Sequence, residues 1–169
     1  MKNTIKVFVL VALTLAAMSV SAQVKLGHIE TQKLIQAMPE WTAAQKTFEE
    51  EQKKVNTELN SLREQFQTKL AEYSEKMKTY SEAMRATTEE ELQGLQQRIQ
   101  RFQETATAQL EKTQNDLMQP VMEKALNAIK EVGKENGFTY IFDMNAGILY
   151  AAENSQDVLP LVKKKLGLQ

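Results

Sequence analysis

From Trp41 to Asp116 the chain contains no proline and a single glycine, Gly94, and is dominated by Glu, Gln, Lys, Leu, Ala and Thr. A stretch of that length, without a breaker and rich in good helix formers, has one economical conformation, which is long helix. Its apolar residues say what the helix packs against. Phe48, Val55, Leu59, Leu62, Phe66, Leu70, Tyr73, Met77, Tyr80 and Met84 follow one another, after a first gap of seven, at steps of 4, 3, 4, 4, 3, 4, 3 and 4. Such spacing draws a narrow stripe along a helix, the seam of a coiled coil, with a stutter at Phe66–Leu70. The pattern resumes at Leu92, Leu95, Ile99, Phe102, Ala106 and Leu110, with a second 4,4 step at its end.

Two stripes in succession predict a helical hairpin. Thr88 followed by Glu91 has the spacing of a capping box, and Glu89, Glu90 and Glu91 suit the positive end of a new helix. We therefore expect the chain to reverse at about residue 87, with facing positions summing to about 174. The stutters, centred on residue 68 and on Ala106, would then lie at one height. Arms of about 40 residues would reach roughly 60 Å.

The flanks read differently. Val24–Ile29 is a short β-prone run, and Thr31–Met38 a brief helix stopped before Pro39. Pro120 predicts a kink, after which helical spacing continues through Val121, Ala125, Ala128, Ile129 and Val132. Gly133 or Asn136-Gly137 ends that helix. Phe138–Phe142 is a strand, Asn145-Ala146-Gly147 a turn and Ile148–Ala152 a second strand. Asp157 caps a last helix carrying Val158, Leu161, Val162 and Leu166, where Pro160 is tolerated in the first turn. Residues 23–39 and 120–169 would form a small β-containing body, and 40–119 the arm. A body that small is marginal alone, and its few strands leave open edges. Self-association, with strands of several copies completing one sheet or barrel, is the expected remedy. The fold class is thus α+β, mostly α, with a long antiparallel coiled-coil hairpin projecting from a small β body completed by oligomerisation.

At the N-terminus, Lys2 and Lys6 precede an apolar run from Val7 to Met18, followed by Val20-Ser21-Ala22. This is the layout of a secretory signal peptide cut after Ala22, and the run is shorter than the roughly 20 residues a membrane span needs. The expected destination is the periplasm, without stable membrane insertion after cleavage. The chain has no cysteine and one histidine, so thiolate chemistry, Cys-type metal sites and two-histidine metal motifs are excluded. There is no glycine-rich phosphate loop. No enzymatic activity and no cofactor are expected.

The short helix ending at Met38-Pro39-Glu40, the charged hairpin, the helix after Gln119-Pro120, the run Asn136-Gly137-Phe138-Thr139-Tyr140-Ile141-Phe142-Asp143, and the ending Ile148-Leu149-Tyr150-Ala151 with Asp157-Val158 together resemble the Skp/OmpH family of periplasmic chaperones. The resemblance covers essentially the whole chain after Ala22. It implies a jellyfish-like homotrimer: a β-barrel body built from three subunits, and three hairpins around a cavity. It also implies an ATP-independent holdase that keeps unfolded outer-membrane β-barrel proteins from aggregating in that cavity. One departure stands out. Well-studied relatives are strongly basic, whereas this chain has a pI of about 6.0, and residues 40–119 carry 11 basic against 15 acidic side chains. Electrostatic capture of acidic clients and lipopolysaccharide binding are therefore not carried over. The acidic arm also disfavours nucleic acid.

Few residues offer chemistry. His28-x-Glu30 lacks the cysteines that zinc deaminases add to such a string. Glu49–Glu51 and Glu89–Glu91 point about 100° apart in succession along a helix and do not converge. Lys163-Lys164-Lys165 suits a helix C-terminus. Tyr73, Met77, Tyr80 and Met84 are the candidate client-binding residues, because Met and Tyr serve adaptable contact surfaces. The same four occupy seam positions and could equally pack the hairpin's own core. Gly94 would loosen the arm near its tip. The alternative to a chaperone is a structural coiled-coil adaptor or spacer of the cell envelope.

Overall fold

The computed structural model describes residues 24–152 and 155–168; the signal-like segment lies outside them. In chain order the elements are β1 (Leu26–Ile29), α1 (Thr31–Gln36), α2 (Pro39–Lys76), α3 (Glu82–Glu135), β2 (Tyr140–Asp143), β3 (Gln156–Asp157) and α4 (Leu159–Lys165). The two long helices dominate. Pro39 opens α2 at a position where the missing N–H would have no helical partner anyway. With 38 and 54 residues, α2 and α3 run for about 57 and 81 Å at 1.5 Å per residue.

The hairpin forms, but it reverses earlier than the sequence pattern suggests. The turn is Met77–Ser81, closed by Thr79 N–H and Tyr80 N–H donating to Lys76 O at 2.9 and 3.2 Å. Ser81 is the true N-cap of α3: its Oγ accepts from Met84 N–H at 3.3 Å. Thr88 lies nearly two turns into the helix, and its hydroxyl donates back to Met84 O at 2.8 Å, as a mid-helix threonine does. The register confirms the shift. Lys69 pairs with Glu91, Tyr73 with Glu89 and Glu40 with Lys124, so facing positions sum to 160–164. Residue 68 consequently lies level with the Leu92–Gly94 region rather than with Ala106, and the two stutters do not share a height. The physical reason is that a two-helix seam is narrow and half-solvated, so each stutter is accommodated locally. Ala44, Leu62, Leu92 and Ala106 are the arm positions that become buried, Leu62 alone completely.

Beyond the arm, α3 continues unbroken through Pro120 into the body. Pro120 removes one backbone donor. The helix persists because Val121, Ala125, Ala128 and Val132 form a buried strip against Ile29, Leu34, Ile35, Met38, Val158 and Val162. Three alanine- or valine-sized steps let α1, α4 and the sheet approach closely. The helix ends in a Schellman motif: Gly137 sits at φ +67°, Phe138 N–H donates to Gly133 O at 2.9 Å, and Gly137 N–H donates to Lys134 O at 3.4 Å.

The sheet is parallel throughout, in the order β2-β1-β3, with Leu26 facing Tyr140, His28 facing Phe142, and Gly27 and His28 facing Gln156 and Asp157. Ile148–Ala152 is not a strand. The second strand beside β1 is instead Gln156–Asp157, anchored by Val158 N–H donating to His28 O at 2.9 Å. That edge of β1 can be occupied only once, and the residues leading directly into α4 take it. The N-cap of α4 is Val158 rather than the expected Asp157, which ends β3 one position earlier and still reaches the helix start, its Oδ1 accepting from Leu159 N–H at 2.8 Å.

Close packing of β1 rests on Gly27. A Cβ built there would lie 2.8 Å from the Phe138 ring and 2.9 Å from a Val158 methyl carbon. Gly27→Ala is expected to destabilise the body by about 1–3 kcal/mol through overpacking. Urea unfolding of the two proteins checks this, and an unchanged midpoint would refute it.

Candidate client-binding surface

The four residues singled out at the arm tip separate into two kinds. Tyr73 and Tyr80 face each other across the turn, ring centroids 6.3 Å apart at 47°, and the Tyr73 hydroxyl donates to Glu89. That hydrogen bond holds the Tyr73 phenol above its ordinary pKa, because an ionised phenolate would lose its acceptor and face a carboxylate. Both tyrosines are half-buried and close the hairpin. Met77 and Met84 instead flank the turn with their side chains exposed, Met84 at 52%. Met77 is fixed as the C-cap that follows α2 by its N–H to Tyr73 O at 2.8 Å, and Met84 by Ser81. The tip therefore offers two flexible thioether side chains on a rigid polar frame, a surface able to touch unlike apolar segments.

Along the arm the charges pair locally. The Lys76 ammonium lies 3.0 Å from Glu72 and holds that carboxyl below its ordinary pKa. Lys69 is raised by its bond to Glu91, and Glu40 is lowered by Lys124. All these groups are solvent-exposed, and each pair is worth little in stability. Their effect is on register, since Lys69–Glu91 and Lys124–Glu40 cross from α2 to α3.

A second surface lies in the body. The sheet's inner face, Gly27, Ile29 and Ile141, packs on the helices, while Leu26, Tyr140 and Phe142 on the other face remain open. The Tyr140 and Phe142 rings stack there at 6.1 Å. Leu149 and Tyr150, 99% and 80% exposed, belong to the segment that forms no strand. Beside β2 runs a groove of about 330 Å³ lined by Met122, Leu126, Ile129, Ile29 and Ile141. The sequence hinted at this surface, because Tyr140, Ile141 and Phe142 are apolar on both faces of one strand.

Among the described residues no cluster of three metal-ligating side chains occurs, and no helix is long and apolar enough to cross a membrane. His28 Nδ1 lies 2.8 Å from Ser155 Oγ, a juxtaposition invisible in the sequence. Among the described residues no carboxylate orients the imidazole, as the nearest one in register, Asp157, accepts from Leu159 N–H. His28 and Glu30 do not act together: Glu30 pairs with Lys33 at 2.7 Å. Lys165 bridges to Glu135 and Glu131 of α3 at 2.6 and 3.1 Å, tying α4 down as well as ending it.

Residues 25–166 match the family described as outer membrane protein (OmpH-like). The chain belongs to the OmpH-like family. No curated protein sequence matches it. Among solved structures it is similar to a candidate outer membrane chaperone (OmpH-like) from Caulobacter crescentus CB15, with a TM-score of 0.74 and 16% identity over 83% of this chain and 82% of that one. At 16% identity the likeness is one of fold.

Gly94, inside α3, has open space where a Cβ would be. Gly94→Ala therefore gains helix propensity with no clash and should stabilise the arm by up to about 1 kcal/mol. Slower amide exchange around residue 94 is the expected readout; unchanged exchange would show that the arm is already rigid there.

Proposed function

We propose that this chain is an ATP-independent periplasmic holdase, which binds unfolded outer-membrane β-barrel proteins between its helical arms and prevents their aggregation. The observation that carries the reading is the architecture of an OmpH-like chain: a long two-helix arm, with exposed Met77 and Met84 at its tip, standing on a sheet that is open on one face. The chaperone description of the structurally similar Caulobacter protein supports it.

The open sheet suggests how the arms come together. Three copies joined through Leu26, Tyr140 and Phe142, with Ile148–Ala152 of each pairing beside a neighbour's strand, form a homotrimeric body. Residues 23–39 and 120–169 make that body and 40–119 the arm, after residues 1–22 are removed as a signal peptide. Three arms then enclose a shared space. An unfolded client has many weak apolar segments, and many weak sites held at high effective concentration retain it while each contact stays exchangeable. Release needs no nucleotide when folding into the membrane is downhill. Nucleic acid has no place in this scheme, and neither does a cofactor.

The test is dilution of a urea-unfolded outer-membrane β-barrel protein into buffer with and without the chaperone, following light scattering and complex mass. Aggregation should be suppressed without ATP, with a mass of three protomers plus one client. Replacing both Met77 and Met84 with Ser should weaken capture by about fivefold, the effect of losing roughly 1 kcal/mol of apolar contact. A folded oligomer that leaves aggregation unimpeded would instead identify an envelope adaptor.

A further inference from the structure

The chain has no cysteine, so the softest nucleophiles it offers an oxidant are thioethers. Their exposure is unequal. Met38 is 1% exposed in the core of the body, whereas Met77 and Met84, which flank the hairpin turn, are 41% and 52% exposed. We propose that Met77 and Met84 form an oxidation site that regulates the arm tip: a two-electron oxygen donor of the peroxide class converts both to sulfoxides, and client capture falls while the fold is kept. This rests on the client-binding reading above.

The step is the transfer of one oxygen atom. A sulfur lone pair attacks one oxygen of the peroxide, and the O–O bond breaks as the S–O bond forms. The proton of the transferred hydroxyl passes to the departing hydroxide, giving water. Sulfur is oxidised by two electrons and the peroxide is reduced by two. No acid or base from the protein is required, so access to sulfur sorts the methionines.

The frame of the tip uses neither sulfur. The turn closes through Thr79 and Tyr80 N–H to Lys76 O, Met77 N–H donates to Tyr73 O, Met84 N–H donates to Ser81 Oγ, and the Tyr73 hydroxyl donates to Glu89. These backbone and polar bonds remain when sulfur gains an oxygen. What changes is the surface. Each flexible apolar side chain becomes a polar, chiral one, and an apolar client segment has to strip water from the new oxygen to make the same contact. Met38 belongs to the core cluster with Ile29, Leu34 and Val158, where a sulfoxide would disrupt packing, and its burial keeps the oxidant out.

Met122 separates the tip from oxidation in general. At 50% it is as exposed as Met84, but it lines the groove beside β2, about 57 Å along α3 from Met84 at 1.5 Å per residue. The same oxidant reaches it, and its sulfoxide alters the body groove rather than the tip.

Treatment of the purified protein with hydrogen peroxide, stopped with catalase, tests the proposal. Peptide mass mapping should show Met77 and Met84 each gaining one oxygen well before Met38, with the circular dichroism unchanged. Affinity for a urea-unfolded outer-membrane β-barrel protein should then fall about fivefold, the effect of losing the apolar contact that serine would also remove. Methionine sulfoxide reductases acting on both sulfoxide epimers should restore it. The double variant Met77→Leu/Met84→Leu, whatever its own affinity, should keep that affinity through the same treatment even as its Met122 is oxidised. Capture that survives complete oxidation of both residues overturns the proposal, as does an equal loss in the leucine variant or oxidation of Met38 at the same rate. Should that variant fail to fold, Met122→Leu decides instead: it must lose capture on oxidation as the wild type does, and a variant that loses none overturns the proposal. Untreated wild type that captures no client overturns the holdase reading itself, and this regulation with it.

Discussion

One buried strip on one helix organises this protein. Val121, Ala125, Ala128 and Val132 of α3 press against the sheet, α1 and α4, and the same helix runs on without a break to the turn at Met77–Ser81. A helix transmits orientation along its whole length. The angle at which the arm leaves the body is therefore set by packing at its foot, where small side chains permit close approach and leave little room for adjustment. Schellman closure at Gly137 and the bridge from Lys165 to Glu131 and Glu135 hold that foot from the other end.

The arm itself is held together differently. Only a few of its side chains, Leu62 foremost, are shielded from water, so two facing helices share a seam rather than a core. Cross-arm pairs such as Lys69–Glu91 choose the register while adding little stability, because exposed ions remain solvated. The combination is a closely packed foot and a hydrogen-bonded tip on which the thioethers of Met77 and Met84 are exposed. In such an arm the side chains at the tip can change rotamer without disturbing the body that carries it.

The sheet is the unfinished part of the molecule. Parallel strands ordinarily have both faces covered, yet here the helices cover only one, and the stacked rings of Tyr140 and Phe142 lie in the open. The body of a single chain is small for the arm it supports. Association would complete the sheet and multiply the arms in the same step, coupling stability to capacity.

Much of this was legible in order and spacing. The absence of proline and the 3,4 steps from Phe48 to Leu110 determined that there would be two packed helices. Gly133 and the Asn136-Gly137 pair both offered an end to the second, and the fold uses Gly137, whose left-handed φ glycine adopts without strain. What periodicity could not determine was the bend. Stripes before and after residue 87 are compatible with a range of turn positions, and only the packed pair, through Ser81, Tyr73–Glu89 and Lys69–Glu91, selected Met77–Ser81. The tertiary structure likewise decided against a strand at Ile148–Ala152. That segment has β-propensity, but the place beside β1 goes to Gln156–Asp157, and Ile148–Ala152 pairs with neither outer strand of the sheet. The pairing of His28 with Ser155, 127 positions apart, was likewise a decision of the fold. Local sequence determines which conformations are affordable for a segment; which neighbour it meets depends on where the rest of the chain has already packed.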